Sequence, residues 1–226
     1  MGGTADLKLL TADLEVRKAV TPQRETADGH VGPPRAIRDG SLVMSPHVWA
    51  LAKEGRVFIS ADSDHAAVLT TQTSYADTSP ALLLDVPKGT TAIPLGVFLS
   101  QDGTIAGGEI LVHIEIDEVV RYASGGAREK VRSSRTDMPL PNTCDLYSGA
   151  TAVAGAGIQV FSGNFINSCT PEVAQDINWH QFLWVPDVPM FLVGPAALNV
   201  YAYASDPGPE YYWYVMWAEI PSSDLK

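Results

Sequence analysis

The side chains best suited to chemistry are His113, Glu115 and Asp117, which alternate within one short stretch. In residues 109–117 every second residue is Ile or Val, which is the period of a β-strand with one face in the core. The three polar side chains then share the other face. Imidazole and carboxylate groups are ligands for zinc, manganese or iron, so a metal site is one hypothesis. The other is a polar face mostly in water, which the absence of any His-x-His spacing favours.

A second acidic pair, Asp62 and Asp64, stands before His65 in a segment rich in turn residues. Carboxylates at this spacing bind Ca²⁺ in some loops, but a calcium loop needs further oxygen ligands. The spacing therefore favours an ordinary Asx turn.

The two cysteines, Cys144 and Cys169, each follow a polar Asn-Thr or Asn-Ser pair and have no Cys-x-x-Cys spacing. Two thiol ligands alone do not make a structural zinc site. Two free thiols and a disulfide between two loops both stay open. The disulfide would suit a particle that leaves the cell, because oxidation follows release.

No nucleophile or nucleotide motif accompanies these residues. The chain has no Gly-x-Ser-x-Gly, no Gly-x-x-x-x-Gly-Lys-Ser/Thr, no Gly-x-Gly-x-x-Gly after a strand and no His-Glu-x-x-His. We therefore expect a protein that is not an enzyme, with no catalytic residue and no cofactor.

The composition excludes several classes of protein. The chain is 46% hydrophobic and 18% charged, with 15 Lys and Arg against 26 Asp and Glu, for a net charge of −11. It is too apolar for a disordered chain and too poor in charge for a long coiled coil. So acidic a chain gains no affinity by releasing phosphate counterions, so we expect no specific nucleic-acid binding. With no signal peptide and no apolar run near the ~20 residues that span a bilayer, we expect no membrane association.

Short apolar or β-branched runs, separated by Gly, Pro, Asp and Asn, predict an all-β protein of eight to ten strands. The runs with strand character, from which these strands are drawn, are 57–60, 65–71, 81–86, 93–99, 109–117, 130–134, 158–161, 181–185, 190–193, 197–204 and 211–220. Because no βαβ rhythm is present, the strands favour an antiparallel sandwich or barrel. Pro94 should lie at an edge or a bulge, since it has no N–H for a ladder.

Three regions follow from the pattern along the chain. Residues 1–40 hold six basic and six acidic residues, no aromatic residue and a Gly-Pro-Pro, which predicts an extended arm with little core. Residues 41–55 predict a short helix and linker, with Gly55 just past the helix. Residues 56–226 predict the β-domain, and Thr170-Pro-Glu within it suits one further helical turn.

Aromatic residues concentrate near the C-terminus, where residues 201–217 hold seven of the chain's 19. On the predicted strand 211–217 both alternating faces are apolar, so core or another subunit covers both. Stacking on a sugar ring is a further interpretation. The candidate interface or ligand-stacking residues are Tyr201, Tyr203, Tyr211, Trp213 and Trp217.

These features resemble the architecture of single jelly-roll virion proteins, a class with small viral capsid subunits, phage decoration proteins and tumour-necrosis-factor-like trimers. The resemblance rests on the arm, the Pro- and Gly-rich strand series and an ending that runs Leu198-Asn-Val-Tyr-Ala-Tyr-Ala, then Tyr-Trp-Tyr-Val-Met-Trp-Ala-Glu-Ile-Pro221. It covers residues 56–221 and implies an antiparallel jelly-roll β-sandwich with an extended N-terminal arm and one or two short helices. The arm departs from the basic arms of RNA-packaging capsids, since its net charge is zero.

The resemblance implies a virion structural protein, as a capsid or capsid-decoration subunit made in a host cytoplasm. An arm without its own core becomes ordered on a neighbour, so we expect self-assembly as a homotrimer or a larger shell. In a decoration role the partners include other virion proteins. A carbohydrate- or receptor-binding module of lectin type stays open as the alternative. A metal-dependent jelly-roll enzyme that uses His113, Glu115 and Asp117 is the third hypothesis.

Overall fold

The computed structural model of the chain describes residues 17–18, 35–36, 47–62, 69–101, 109–137, 139–155, 157–166, 181–204 and 210–225. The chain forms two compact units, Met1–Trp49 and Ala50–Lys226. In the first, strands β1 (Arg17–Lys18) and β2 (Arg35–Ala36) pair in parallel. Several predicted features lie outside the described residues. They are the rest of the predicted arm, the turn or calcium-loop candidates Asp64 and His65, the predicted helical turn at Thr170, and Cys169.

A short helix, α1 (His47–Lys53), precedes the first strand of the second unit. It ends where Gly55 adopts a φ of +78°, a left-handed conformation that costs glycine little. Buried Leu51 packs with Val57, Ile93 and Ala218. The helix predicted within residues 41–55 is confirmed, and it is stabilised by this apolar contact.

The remaining fifteen described strands lie in the second unit, and a 3₁₀ turn (Ser222–Leu225) follows the last one. Their bounds are β3 (Val57–Ala61), β4 (Leu69–Thr70), β5 (Leu82–Val86), β6 (Thr90–Gln101), β7 (Glu109–Asp117), β8 (Tyr122–Ser124), β9 (Ala127–Arg128), β10 (Arg132–Ser133), β11 (Asp145–Ser148), β12 (Thr151–Ala152), β13 (Ile158–Ile166), β14 (Gln181–Trp184), β15 (Leu192–Val193), β16 (Ala196–Ala204) and β17 (Glu210–Pro221). Nine of them have four residues or more. The others are two- or three-residue pairings. Of these, β4, β10 and β15 lie within predicted strands, whereas β8, β9 and β12 were not predicted.

One sheet has seven strands in the order β10-β3-β17-β6-β14, with β4 also pairing β17 and β15 also pairing β6. Its pairs are antiparallel. On one side of β6, Pro94 is opposite Trp217, next to a register shift between Met216 and Trp217. On the other side, Pro94 falls between the residues of β6 that pair with β14 and those that pair with β15. No ladder bond requires its missing N–H there, so the prediction for Pro94 is confirmed.

The other large sheet has six strands in the order β13-β7-β16-β5-β11-β9, again antiparallel. Strand β7 has the bounds that its alternating pattern predicts. The connection from β7 to β13, residues 118–157, carries the short strands β8 to β12, of which β8 and β12 form a two-stranded sheet.

The two large sheets share one hydrophobic core. The seven-stranded sheet contributes Phe58, Val97, Leu99, Trp213, Val215 and Trp217, and the six-stranded sheet contributes Leu82, Leu84, Ile110, Val112, Ile114, Leu198 and Val200. The inward residues alternate along each strand, as in any sheet with one face buried. The predicted all-β antiparallel fold is therefore confirmed.

Candidate functional site

The polar face of β7 lies under a cover of protein rather than in water. Glu115 is 5% exposed, and His113 Nε2 lies 2.7 Å from Glu115 Oε1. His113 and Asp117 are also largely covered. The expectation of a mostly solvated face is wrong for this strand. The alternating pattern correctly separates the two faces, but it carries no information about what packs on the second one.

The cover is the segment before β5, residues 71–81, which runs beside the end of β16. Gln72 N donates to Ala202 O at 3.2 Å, and Ala204 N donates to Gln72 O at 2.8 Å. Tyr75 then lies over the face and donates its hydroxyl to Glu115 Oε1 at 2.8 Å. These backbone and side-chain bonds anchor the segment on the outer side of the six-stranded sheet.

Aromatic rings surround the Tyr75–Glu115 contact. The Tyr75 ring centroid lies 5.0 Å from that of Tyr201, 6.0 Å from that of Tyr203 and 5.3 Å from that of His113. Tyr201 donates its hydroxyl to Asp77 O at 2.9 Å, so it binds the covering segment a second time. Burial, and after it Glu115, raise the pKa of both the Tyr75 and the Tyr201 phenols, which therefore stay protonated hydrogen-bond donors.

Asp117 faces a cation and an amide. Asn199 Nδ2 donates to Asp117 Oδ2 at 2.9 Å, and an Arg121 guanidinium nitrogen lies 3.4 Å from the same oxygen. Arg121 is 2% exposed and also donates to Gly155 O at 2.7 Å and Asp77 O at 3.4 Å. Burial raises the pKa of Asp117, and the Arg121 charge opposes that rise. Arg121 thereby joins three separate segments at one point.

This geometry does not support the metal hypothesis for His113, Glu115 and Asp117. Arg121 supplies the positive charge beside Asp117, while Glu115 Oε1 is engaged by His113 and Tyr75. Within the described ranges, no group of three or more His, Cys, Asp or Glu side chains is arranged to hold a metal ion. The contacts of these residues instead hold two segments on the six-stranded sheet, residues 71–81 and the connection from β7 to β13. Sequence reasoning missed Tyr75, Asp77 and Arg121, because their role depends on contacts far along the chain.

The C-terminal aromatic candidates lie mostly inside the molecule. Tyr201, Tyr211, Trp213 and Trp217 are 2%, 0%, 4% and 0% exposed, and Tyr203 is half-buried. Tyr211, Trp213 and Trp217 are part of the core between the sheets. Tyr201 lies beside Tyr75, with its hydroxyl bound to Asp77 O. The interpretation of strand 211–217 as core is confirmed for its odd-numbered face. These buried side chains are therefore not a surface for sugar stacking or for another subunit.

The even-numbered face of β17 is only partly covered. Tyr212, Tyr214 and Met216 are half-buried, and the Tyr214 ring stacks on Phe98 with centroids 4.7 Å apart. Leu183 of β14 is opposite Phe98 in the register, so an apolar row crosses three strands on the outer side of the seven-stranded sheet.

Sequence reasoning missed a second apolar surface, which continues from Leu183 along the chain. We call residues 181–193 the β14–β15 segment. Its most exposed apolar side chains are Leu183 (59%), Val185 (55%), Val188 (67%), Phe191 (48%) and Val193 (49%). The sequence contains a signal for this surface, since Phe-Leu-Trp-Val at 182–185 places apolar side chains on both faces of a strand.

Cys144 is free and fully buried, at 0% exposure. Burial and the Glu219 carboxylate beside it raise the pKa of its thiol, so it stays protonated and unreactive. Glu219 accepts from Thr143 N at 2.7 Å, Cys144 N at 3.1 Å and Trp217 Nε1 at 2.8 Å. Cys144 therefore serves packing in this structure.

No family model matches the chain, and no curated protein matches it. In the part of the chain that the structure describes, no helix has the length and apolar character needed to cross a membrane.

Proposed function

We propose that the chain is a jelly-roll virion structural protein, a capsid or capsid-decoration subunit that assembles with itself. The observation that carries the proposal is the strand order. Leaving aside residues 118–157 and the two-residue strands β4 and β15, eight strands remain in the second unit. Numbered one to eight along the chain, they lie in the orders 1-8-3-6 and 2-7-4-5. This is the order that a jelly roll has, and capsid and lectin domains use that fold.

Between these two uses of the fold, the surface favours assembly. A monomer's largest apolar patch is usually a few hundred Å² and is often an interaction site. The β14–β15 segment and the outer row on β17 present such a surface in a chain of net charge −11. A homotrimer or larger shell would cover it, within a virion built in a host cytoplasm. In a decoration role, other virion proteins share in this cover.

Sedimentation of the full chain from low to high micromolar concentration, with electron microscopy of the same samples, tests this function. We expect a discrete trimer, a ring or a shell. A monomer at every concentration, with no particles on the grid, would overturn the proposal.

A carbohydrate- or receptor-binding module is the second candidate, and one observation favours it. The rings of Tyr122 and Tyr147 stack with centroids 3.9 Å apart, and Tyr122 is 36% exposed. Exposed aromatic rings are suitable platforms for sugar rings. Binding on a glycan array that Tyr122→Ala abolishes, in a protein that stays monomeric, would replace assembly by this function.

A further inference from the structure

The β14–β15 segment is the densest run of exposed apolar side chains in the described second unit. Five large apolar residues, between 48% and 67% exposed, fall within thirteen positions. Pro186 and Pro189 lie in the loop between β14 and β15. The two strands pair with β6, but the loop residues between them do not. Exposed side chains such as Val185 and Val188 therefore stand outside the ladder, while Trp184 and Leu192 point into the core.

In the described part of the chain, edge strands of both large sheets lie on the same side of the sandwich. Among described residues β14 pairs only with β6, and β13 pairs only with β7. The rings of Phe161 on β13 and Phe182 on β14 meet with centroids 5.3 Å apart, which connects the two edges. Unpaired strand edges beside apolar side chains are templates for pairing with another chain.

The distribution of charge favours a second copy of this chain as the partner that covers the β14–β15 segment. The β14–β15 segment contains one ionisable side chain, Asp187, whereas the whole chain carries −11. Two copies of so acidic a chain approach most easily through a nearly uncharged surface. A cationic partner, by contrast, would gain more from the acidic remainder of the surface.

Area supports a second copy as well. Side chains exposed to this degree offer roughly 500 Å² of apolar surface on one copy. If the same surface on two copies meets around a two-fold axis, the contact buries about 1,000 Å² in total, where specific interfaces begin.

We infer that the β14–β15 segment, with the adjoining edges of β14 and β13, is the surface through which a second copy of this chain docks. The inference rests on the proposed self-assembly and adds to it the place of the contact. The contact is isologous, so each copy contributes the same side chains. Within the proposed assembly it is a two-fold contact of a shell, because the subunits of a trimer meet through heterologous contacts.

Sedimentation equilibrium of Val188→Asp tests the docking surface, with Val153→Asp as the matched control. Val188 is 67% exposed and Val153 is 52% exposed, so neither substitution disturbs the core. We expect Val188→Asp to weaken association at least tenfold, because it places two carboxylates in an apolar contact, and Val153→Asp to leave it unchanged. Equal association of Val188→Asp and wild type, or equal weakening by both variants, would overturn the inference.

Chemical crosslinking provides a second readout that does not depend on affinity. In a Cys169→Ser background, which leaves only buried Cys144, we expect a bismaleimide to link Val188→Cys into covalent dimers and to leave Val153→Cys monomeric. A wild-type chain that is monomeric in sedimentation sinks the proposed function. If the wild type assembles but Val188→Cys gives no covalent dimer, only the proposed docking surface is contradicted.

Discussion

Buried carboxylates in this protein act as acceptors that join segments distant in sequence. Glu219 receives two backbone N–H groups and the Trp217 indole, and Glu115 receives the Tyr75 hydroxyl. An ionised group removed from water is tolerated only with such donors. Asp85 follows the same rule, since Arg121 N and Tyr122 N donate to its two oxygens at 2.9 and 3.1 Å.

Asp85 predicts a measurable pH dependence of stability. Burial raises its pKa above the ordinary value, and the two backbone donors only partly oppose this. A raised pKa means that the folded state binds the proton more tightly than the unfolded state. Its contribution to the free energy of unfolding is therefore present below the ordinary aspartate pKa of ~3.9 and is lost as pH rises through the higher folded pKa.

Urea denaturation of wild type and Asp85→Asn across this window measures the effect. The loss of one acceptor in Asn is independent of pH, so only the difference between the two curves reports the titration. We expect wild type to lose stability relative to Asp85→Asn as pH rises. A relative gain over the same window would show that the amide donors outweigh burial.

At the scale of elements, the turn between β8 and β9 offers a matched pair of glycines. Gly125 and Gly126 both have φ of +69°. A Cβ on Gly125 would meet only the Thr151 hydroxyl at 3.9 Å, whereas one on Gly126 would lie 2.4 Å from Ser148 O and 2.7 Å from Ala150 N. The two positions share the backbone strain and differ in the steric overlap.

We expect Gly125→Ala to lower the free energy of unfolding by about 1–2 kcal/mol, the cost of a left-handed alanine. Gly126→Ala should lower it by roughly 2 kcal/mol more, because backbone must move. Thermal and urea unfolding of both variants check this. Equal losses would mean that β11 and β12 yield freely to the added methyl group.

Strand β17 shows how far sequence reasoning extends for one element. Its apolar residues on both alternating faces predicted cover on both sides, and this is confirmed only for the odd-numbered face. The aromatic odd-numbered face lies in the core, and only the half-buried even-numbered face reaches the outer surface. Substitution of Trp213 therefore tests the stability of the fold, and substitutions on the β14–β15 segment test assembly.

At the scale of the whole molecule, the net charge of −11 opposes any association between copies. Mutual repulsion between copies is long-ranged at low ionic strength, and salt reduces its range to about 10 Å at 0.1 M. We therefore expect association to strengthen as sodium chloride rises from ~0.01 to ~0.5 M. Sedimentation at several salt concentrations measures this. Dissociation by salt would indicate that ion pairs, rather than apolar contact, hold the copies together.

The sequence by itself predicted eight of the nine strands of four residues or more and their antiparallel character, because a period of two and turn residues are local signals. It missed β11 and the short strands β8, β9 and β12. It located β7 to the residue and predicted Pro94 at an edge or a bulge, of which the structure shows the bulge. Only the tertiary structure decided what covers each face. Tyr75 reaches Glu115 across 40 positions, and Arg121 reaches Gly155 across 34. Alternation separates two faces of a strand, but a covering segment is a long-range contact that leaves no mark on that alternation. For the same reason the polar face of β7 became buried, while the apolar β14–β15 segment stayed at the surface.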